Sequence, residues 1–127
     1  MPGVAIAVSN FDKTPTTNIN GNYSVEKLPL GNDFEITPSL NTPLLESVST
    51  FDIVLINRHI LGTRPFDSPY KHIAADINQS GSITVFDLVL IQRAILGLNA
   101  NFPGNTAWRF IPKDYQFIDA NNPLSED

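Results

Sequence analysis

The chain carries one segment twice. Residues 47–62 read SVSTFDIVLINRHILG and residues 82–97 read SITVFDLVLIQRAILG, so 10 of the 16 aligned positions are identical. The copies lie 35 residues apart, and the shared positions include an aspartate, Asp52 or Asp87, near the start of each copy. Repetition at a fixed period of this length indicates a duplicated supersecondary unit. Any fold of this chain must therefore accommodate the same unit at two places.

The composition excludes several classes of function. The chain has 127 residues, a net charge of −5, eight Lys and Arg, and no cysteine. So few basic residues offer no basic face for nucleic acid, whereas an acidic chain favours cations. The lack of cysteine excludes disulfides, zinc-thiolate sites and thiol catalysis. The apolar runs at 53–56 and 88–91 end at polar residues, so we expect no insertion into a membrane.

The apolar pattern changes its period along the chain, which predicts an α+β fold in three parts. Residues 1–40 alternate apolar and polar positions and predict three or four strands around an Asn20-Gly21 hairpin turn, with Pro38 ending the last of them. Residues 41–100 follow the helical period and hold both repeats. Residues 101–127 predict strand segments at 108–111 and 115–118, followed by a tail.

Each repeat predicts one helix with an apolar face towards the core. A short third helix is expected between the two, beginning at Asp67-Ser68-Pro69 and ending near Ala75, because proline suits the first turn of a helix. Gly62 is expected to close the first helix. The predicted core faces are Phe51, Val54, Leu55, Ile60 and Leu61 in the first repeat, and Phe86, Val89, Leu90, Ile95 and Leu96 in the second.

The residues that lead into the second repeat have the spacing of an EF-hand-type calcium loop. Such a loop takes oxygen ligands at positions one, three and five, a backbone carbonyl at seven and a carboxylate at twelve, with glycine at six. The predicted ligands in that order are Asp76, Asn78, Ser80, the Ser82 carbonyl and Asp87, with Gly81 at position six. The alternative is an ordinary polar turn, with Asp87 as a carboxylate at a helix N-terminus.

The same frame is less complete in the first repeat. Only Asn41 at position one and Asp52 at position twelve keep a ligand type, while position six is Glu46. A shifted register that brings in the Ser47 carbonyl would give a second, distorted calcium site. A metal-free turn, with Asp52 capping its helix, is the alternative.

Both repeats resemble the dockerin family. The pattern D-L-x-x-I-x-R-x-I-L-G is matched at Asp87, Leu88, Ile91, Arg93, Ile95, Leu96 and Gly97. With the Asp67-Ser68-Pro69-Tyr70 link and the trailing Thr106-Ala107-Trp108, the segment is most similar to dockerin-like modules of large surface proteins from Bacteroidetes-type bacteria. This resemblance implies a duplicated F-hand module that binds Ca²⁺ outside the cell, at a bacterial cell surface.

The front of the chain resembles a second and more widespread family. Pro2-Gly3-Val4, Gly21-Asn22-Tyr23-Ser24-Val25 and Leu28-Pro29-Leu30-Gly31 are similar to the carboxypeptidase-regulatory-like or SdrD/Cna B-type sandwich, a transthyretin-like fold. The resemblance implies that residues 1–40 form a small, incomplete β-sandwich without its first strand.

Neither family is catalytic. The chain also differs from cohesin-binding dockerins at loop positions ten and eleven. Dockerins that bind cohesins carry small hydroxyl residues at loop positions ten and eleven, where this chain has Thr50-Phe51 and Val85-Phe86. We therefore predict that Phe51 and Phe86 lie at an interface. His59 and His72 belong to no catalytic motif, so no enzyme activity is expected, and both are expected at the surface.

Two functions fit these observations. The first is a calcium-stabilised structural module that assembles into a filament, because a segment of a neighbouring copy completes the open sheet edge. The alternative is a docking module that binds a cohesin-like receptor or anchors a larger cell-surface protein. The expected partners are therefore proteins: copies of the chain, neighbouring domains, or a cohesin.

Overall fold

A computed structural model describes residues 1–43, 46, 48–99, 102 and 107–126. The chain divides into two compact units, Met1–Asn41 and Thr42–Asp127. The boundary falls where the sequence changes from the strand period to the helical one. The α+β class predicted from the sequence is confirmed, with a two-stranded sheet in the first unit and three α-helices in the second.

The first unit is built on one antiparallel strand pair. Strand β1 (Ala5–Val8) pairs with strand β2 (Ile36–Ser39), so that Ala5 lies opposite Ser39 and Val8 opposite Ile36. Alternate side chains of β1, Ile6 and Val8, are buried, as the period-two pattern predicts. The sheet thus buries one face.

The other edge of β1 is covered by residues 15–17. The backbone N–H of Ile6 donates to the Pro15 carbonyl at 2.8 Å, and Thr17 N–H donates to the Val4 carbonyl at 2.9 Å. The buried Thr17 hydroxyl also accepts the Val4 N–H and donates to the Met1 carbonyl. Most of the hydrogen-bonding groups on this side of β1 are therefore satisfied within the unit.

Two predictions for the first unit are wrong in detail. Residues 23–25 form no strand, and the Asn20-Gly21 turn is not a two-residue hairpin. The Asn18 side chain instead accepts the N–H groups of both Asn20 and Asn22 and closes a local loop. A side-chain acceptor of this kind competes with strand pairing. The sheet has two strands, and the sandwich remains a prediction.

Proline also does not end the last strand of this unit. Pro38 lies inside β2, opposite Ile6. Because the Ile6 N–H points to Pro15, on the side away from β2, this pair exchanges no hydrogen bonds within the sheet. The proline nitrogen therefore faces the outer edge of β2, where a missing N–H leaves the pairing intact.

The described residues of the second unit form three α-helices: α1 (Thr50–Ile60), α2 (Pro69–Ala75) and α3 (Val85–Ile95). A 3-10 turn, Pro123–Glu126, follows near the end of the chain. The shared core consists of Ile56, Ala75, Ile91, Ala94 and Phe102. No helix in the described residues is long and apolar enough to cross a membrane.

The duplicated sequence gives duplicated helix ends. Both α1 and α3 begin with a capping box, in which the side chain of Asp52 or Asp87 accepts the backbone N–H of the N-cap residue. Both helices also end alike: Gly62 and Gly97 have positive φ angles of 68° and 69°. The residue after each glycine donates to a carbonyl five positions back, as in a Schellman motif.

The predicted core faces are partly wrong. Leu90 is buried, and Ile60 and Ile95 pack against the core. Six other members of the predicted faces are exposed instead: Phe51, Val54, Leu61, Phe86, Val89 and Leu96. Each helix is apolar on two sides, and the sequence period alone does not decide which side is buried.

The strands predicted near the end of the chain are not formed. Residues 108–111 and 115–118 contain neither strand nor helix. The N–H groups of Ile118 and Asp119 donate to the side chain of Glu126 rather than to a neighbouring strand. A local carboxylate has thus taken the place of a sheet partner.

The two histidines form an aromatic cluster with Phe66. The His59 ring stacks on Phe66 at a centroid distance of 4.4 Å, and the His72 ring lies edge-on to His59 at a centroid distance of 4.9 Å. His59 Nδ1 accepts the Phe66 N–H at 3.0 Å. His72 is buried, with 9% of its surface exposed, so the expectation that both histidines lie at the surface is wrong for His72. The cluster joins the end of α1 to α2.

This cluster makes stability depend on pH. Burial, and then the neighbouring His72, lower the pKa of His59 below its ordinary value of 6.5. The unfolded chain therefore binds a proton more readily than the folded one, and the free energy of unfolding decreases as the pH falls from about 6.5 through the folded-state pKa. We expect the urea midpoint of unfolding to fall between about pH 8 and pH 5. In His59→Gln, whose side chain can still accept the Phe66 N–H, the midpoint should depend less on pH. Parallel curves for the two proteins would contradict the assignment.

Candidate metal centre

The candidate centre is the loop between α2 and α3. Asp76 follows the last residue of α2 as its C-cap, and Thr84 is the N-cap of α3. The chain turns between them through positive φ angles at Gln79 and Gly81, of 56° and 79°. Glycine at loop position six supplies the second of these at no steric cost.

The side chain of Asp76 points into the loop that it begins. Its side chain is almost completely buried, with 2% of the residue surface exposed. Oδ1 accepts the Ser80 N–H at 3.0 Å and Oδ2 accepts the Gly81 N–H at 2.8 Å. Positions one, five and six of the predicted loop are therefore tied together.

Asp87 closes the loop from its other end. It has no exposed surface, although it lies in the first turn of α3. Oδ1 accepts the N–H groups of Ile77 at 2.9 Å and Asn78 at 3.3 Å, and Oδ2 accepts the Thr84 N–H at 2.8 Å. One carboxylate thus joins the start of the loop to the start of the helix.

The remaining predicted ligands lie beside Asp76. Ser80 Oγ is 3.1 Å from the Ser82 carbonyl oxygen and 3.4 Å from Asp76 Oδ1. The Asn78 side-chain oxygen accepts the Ser80 N–H at 3.2 Å. The fold therefore brings Asp76, Asn78, Ser80 and Ser82 together, as the loop spacing predicts, and binds Asp87 to the same segment.

The chemistry of this donor set fits a hard cation. Asp76 and Asp87 are two buried acidic side chains, and burial of a carboxylate costs free energy that backbone N–H groups offset here and that a cation would offset further. No group of three or more His, Cys, Asp or Glu side chains converges in the part of the chain that the structure describes, so an ion here would also use neutral oxygens. Carboxylate, amide, hydroxyl and carbonyl oxygens together are the ligands that Ca²⁺ takes.

The first repeat is different. Asp52 is half-buried, and its Oδ2 accepts the Ser49 N–H at 2.8 Å and the Ser49 hydroxyl at 2.9 Å. Asn41 belongs to the first compact unit, and Ser47 lies outside the described residues. The capping role of Asp52 is visible, while the second calcium site remains a prediction.

Two interactions at the loop have no signal in the sequence. An Arg109 guanidinium N–H donates to the Asp76 carbonyl at 3.3 Å. A Cβ placed on Gly81 would lie 3.9 Å from the Leu124 carbonyl oxygen. Both contacts come from residues more than 30 positions further along the chain, and no spacing rule connects such distant positions.

Comparison with known proteins identifies the region that holds this loop. Residues 46–96 match the dockerin type I domain. The match covers most of both repeats and the whole metal loop, but less than half of the chain. No curated protein and no solved structure matches the sequence.

The match confirms the dockerin resemblance for these residues. Dockerin type I domains typically bind Ca²⁺ and are binding domains without catalytic activity. The sandwich resemblance of the front unit and the Bacteroidetes-type origin remain predictions.

Calcium should stabilise the folded chain through Asp87. An ion that binds only the folded state raises the free energy of unfolding, by about 2.7 kcal/mol when its concentration is 100 times Kd. We expect Ca²⁺ to raise Tm relative to EDTA, and Asp87→Asn to abolish this rise.

Asp52→Asn is the matched control, because it changes the equivalent capping carboxylate of the first repeat. Asp52→Asn should lower Tm in EDTA, because it weakens a helix cap. It should keep the Ca²⁺-induced rise in Tm, because the loop of the second repeat is unchanged. Comparing each variant with and without Ca²⁺ separates metal binding from capping. An unchanged calcium response in Asp87→Asn would contradict the site.

Proposed function

We propose that this chain is a non-enzymatic, calcium-stabilised extracellular module whose helical unit docks to a protein of the cohesin type. The observation that carries the proposal is a pair of equivalent, exposed apolar surfaces within the dockerin type I match. Phe51 on α1 and Phe86 on α3 are 63% and 57% exposed. Both are large aromatic side chains at the same position of the repeat.

Each phenylalanine belongs to a longer apolar stripe on its helix. The α1 stripe consists of Phe51, Val54 and the C-cap residue Leu61, and the α3 stripe of Phe86, Val89 and the C-cap residue Leu96, all of them exposed. An exposed arginine, Arg58 or Arg93, lies between the second and third members of each stripe. Positions three and ten residues apart fall within an arc of about 80° on a helix. The buried Ile56 and Ile91 lie on the opposite side of the same helices. Exposed apolar surface of this kind marks interaction sites in soluble proteins.

The stripes are presented by a stiff framework. Both helices are capped at each end, and α3 is joined to the metal loop through Asp87. A surface that is ordered before binding loses less conformational entropy when the partner arrives. Calcium binding would therefore support docking without touching the partner.

The residue types in the stripes indicate what kind of surface a partner would need. Phenylalanine at loop position eleven replaces the small hydroxyl residue expected for dockerins that bind cohesins. A partner that accepts Phe51 or Phe86 needs an apolar pocket rather than hydrogen-bonding groups, because each aromatic ring would bury a large apolar area. We therefore propose a cohesin-like receptor with an apolar docking face.

Replacing both aromatic anchors should abolish docking. Central aromatic residues of an interface contribute about 2 kcal/mol or more, which is roughly a 30-fold change in Kd. The test is a binding assay of Phe51→Asp/Phe86→Asp against a panel of cohesin modules. Both residues are changed together because the stripes are equivalent.

Leu30→Asp is the control, since Leu30 is 98% exposed and lies in the first unit. It should leave cohesin binding unchanged, and both proteins should keep the calcium-induced rise in Tm. The proposal is wrong if the wild-type chain binds no member of the panel, or if the double variant binds as tightly as wild type.

Assembly into a filament is a second proposal for the first unit. It starts from the outer edge of β2, because the described residues place no strand there. An added strand would meet the Ile36 N–H and, at Pro38, a residue with no N–H to donate. Proline at an edge is one way in which sheets resist such pairing. The docking proposal is therefore the better supported.

This edge chemistry predicts a monomer. With Ca²⁺ present, we expect light scattering from a concentrated solution to give the mass of a single chain. Pro38→Val restores an edge N–H and should increase self-association. Filaments of the wild-type chain in electron micrographs would instead favour the assembly proposal.

A further inference from the structure

Residues 107–126, which we call the strap, follow the dockerin type I match in the sequence and lie against the candidate metal loop. At the start of the strap, Trp108 Nε1 donates to the Thr42 hydroxyl at 2.8 Å. The next residue, Arg109, donates to the carbonyl of Asp76, the first predicted ligand. The strap is therefore attached to the first residue of the loop.

The far end of the strap packs on α2 and on the turn of the loop. Pro123 is completely buried, and its 3-10 turn contacts α2. Phe117 meets Tyr70 of α2 edge to face at 5.7 Å. The Leu124 carbonyl oxygen lies beside Gly81, the glycine at loop position six. The strap thus makes a hydrogen bond to the loop at its first position and lies close to it at the sixth.

Glu126 fastens this end of the strap to its middle. Its Oε2 accepts the Tyr115 hydroxyl at 3.1 Å and the Ile118 N–H at 3.1 Å, and its Oε1 accepts the Asp119 N–H at 2.9 Å. The N–H groups of Asp119 and Ile118 lower the pKa of the Glu126 carboxyl, so the group is ionised near neutral pH. One side chain therefore closes residues 115–126 into a ring.

We propose that the strap is a brace for the metal loop and that Glu126 is the positioning residue that fastens it. The proposal rests on the calcium function proposed above and adds a part of the chain that lies outside the dockerin match. Fastening the strap keeps the Asp76 carbonyl and the Gly81 turn in place before the ion arrives.

The expected gain in affinity follows from preorganisation. When only a fraction of molecules has a binding-competent loop, the apparent Kd rises by the inverse of that fraction. Groups that support metal ligands without touching the metal typically contribute 10- to 100-fold to affinity. The positive charge of Arg109 lowers the affinity for Ca²⁺, because it repels a cation. The proposal therefore concerns loop shape and is tested at Glu126, which makes no described contact with the loop.

The test is the Ca²⁺ dissociation constant of the full chain at about pH 7, measured by titration calorimetry. Glu126→Ala removes all three hydrogen bonds, and we expect Kd to rise by about 10-fold. Tyr115→Phe removes one of the three and should give a smaller rise. Asp114→Ala is the matched control: it removes an exposed carboxylate of the same strap for which the described residues show no hydrogen bond, and it should leave Kd unchanged.

A second measurement needs no calcium. In EDTA, the Ser80 and Gly81 amides donate to Asp76, and their hydrogen exchange reports the shape of the loop. Glu126→Ala should speed their exchange relative to wild type and Asp114→Ala, while the far-ultraviolet circular dichroism stays that of the folded chain.

These two readouts separate the brace from the calcium function. If wild type binds no Ca²⁺, the calcium function fails and exchange alone decides whether the brace exists. Unchanged exchange in Glu126→Ala overturns the brace. Faster exchange with an unchanged Kd also overturns it, because the loop shape would then not limit calcium affinity.

Discussion

The buried carboxylate of Asp87 is the interaction on which the second unit depends. It accepts two N–H groups from the start of the metal loop and the N-cap N–H of α3. The same charge therefore sets the first turn of the helix and the closure of the loop. Asp76 orders the turn of the loop from the inside through Ser80 and Gly81. Both acidic groups are buried, the N–H groups that they accept offset part of the cost of burial, and a bound cation would offset more of it.

The two repeats differ in the two roles of this aspartate, which are capping the helix and closing the loop. Asp52 keeps the capping role in α1, where it binds Ser49, but it is only half-buried. The residues before it have lost the glycine and most of the oxygen side chains of the loop frame. A capping aspartate needs only one adjacent N–H, whereas a metal loop needs five correct positions. Both copies meet the first requirement, and only the second copy has the residue types that the second requirement asks for.

The parts of this structure that the sequence predicted are those with local causes. The three helices and the glycine that ends the first of them depend on nearby residues, and the structure confirms them. The ligand set from Asp76 to Asp87 stays a prediction, although hydrogen bonds join its members. The choice between two apolar helix faces depends on what packs against them, so the sequence predicts Phe51 and Phe86 both in a core face and at an interface. The contacts of the strap cannot be predicted for the same reason. Its contacts join residues such as Arg109 and Asp76, and the N–H groups of Ile118 and Asp119 donate to Glu126 instead of to a strand.

The candidate metal loop and the proposed docking surface are joined at a single peptide bond. Phe86 and Asp87 are consecutive residues in the first turn of α3, and their side chains point in different directions, one exposed and one with no exposed surface. The Phe86 N–H also donates to the Thr84 hydroxyl, which in turn donates to Asp87. An ion that holds Asp87 would therefore restrict the position of Phe86 without contacting it. In α1 the equivalent phenylalanine adjoins an aspartate that is only half-buried, so the two stripes, although equal in sequence, differ in how firmly their first residue is held.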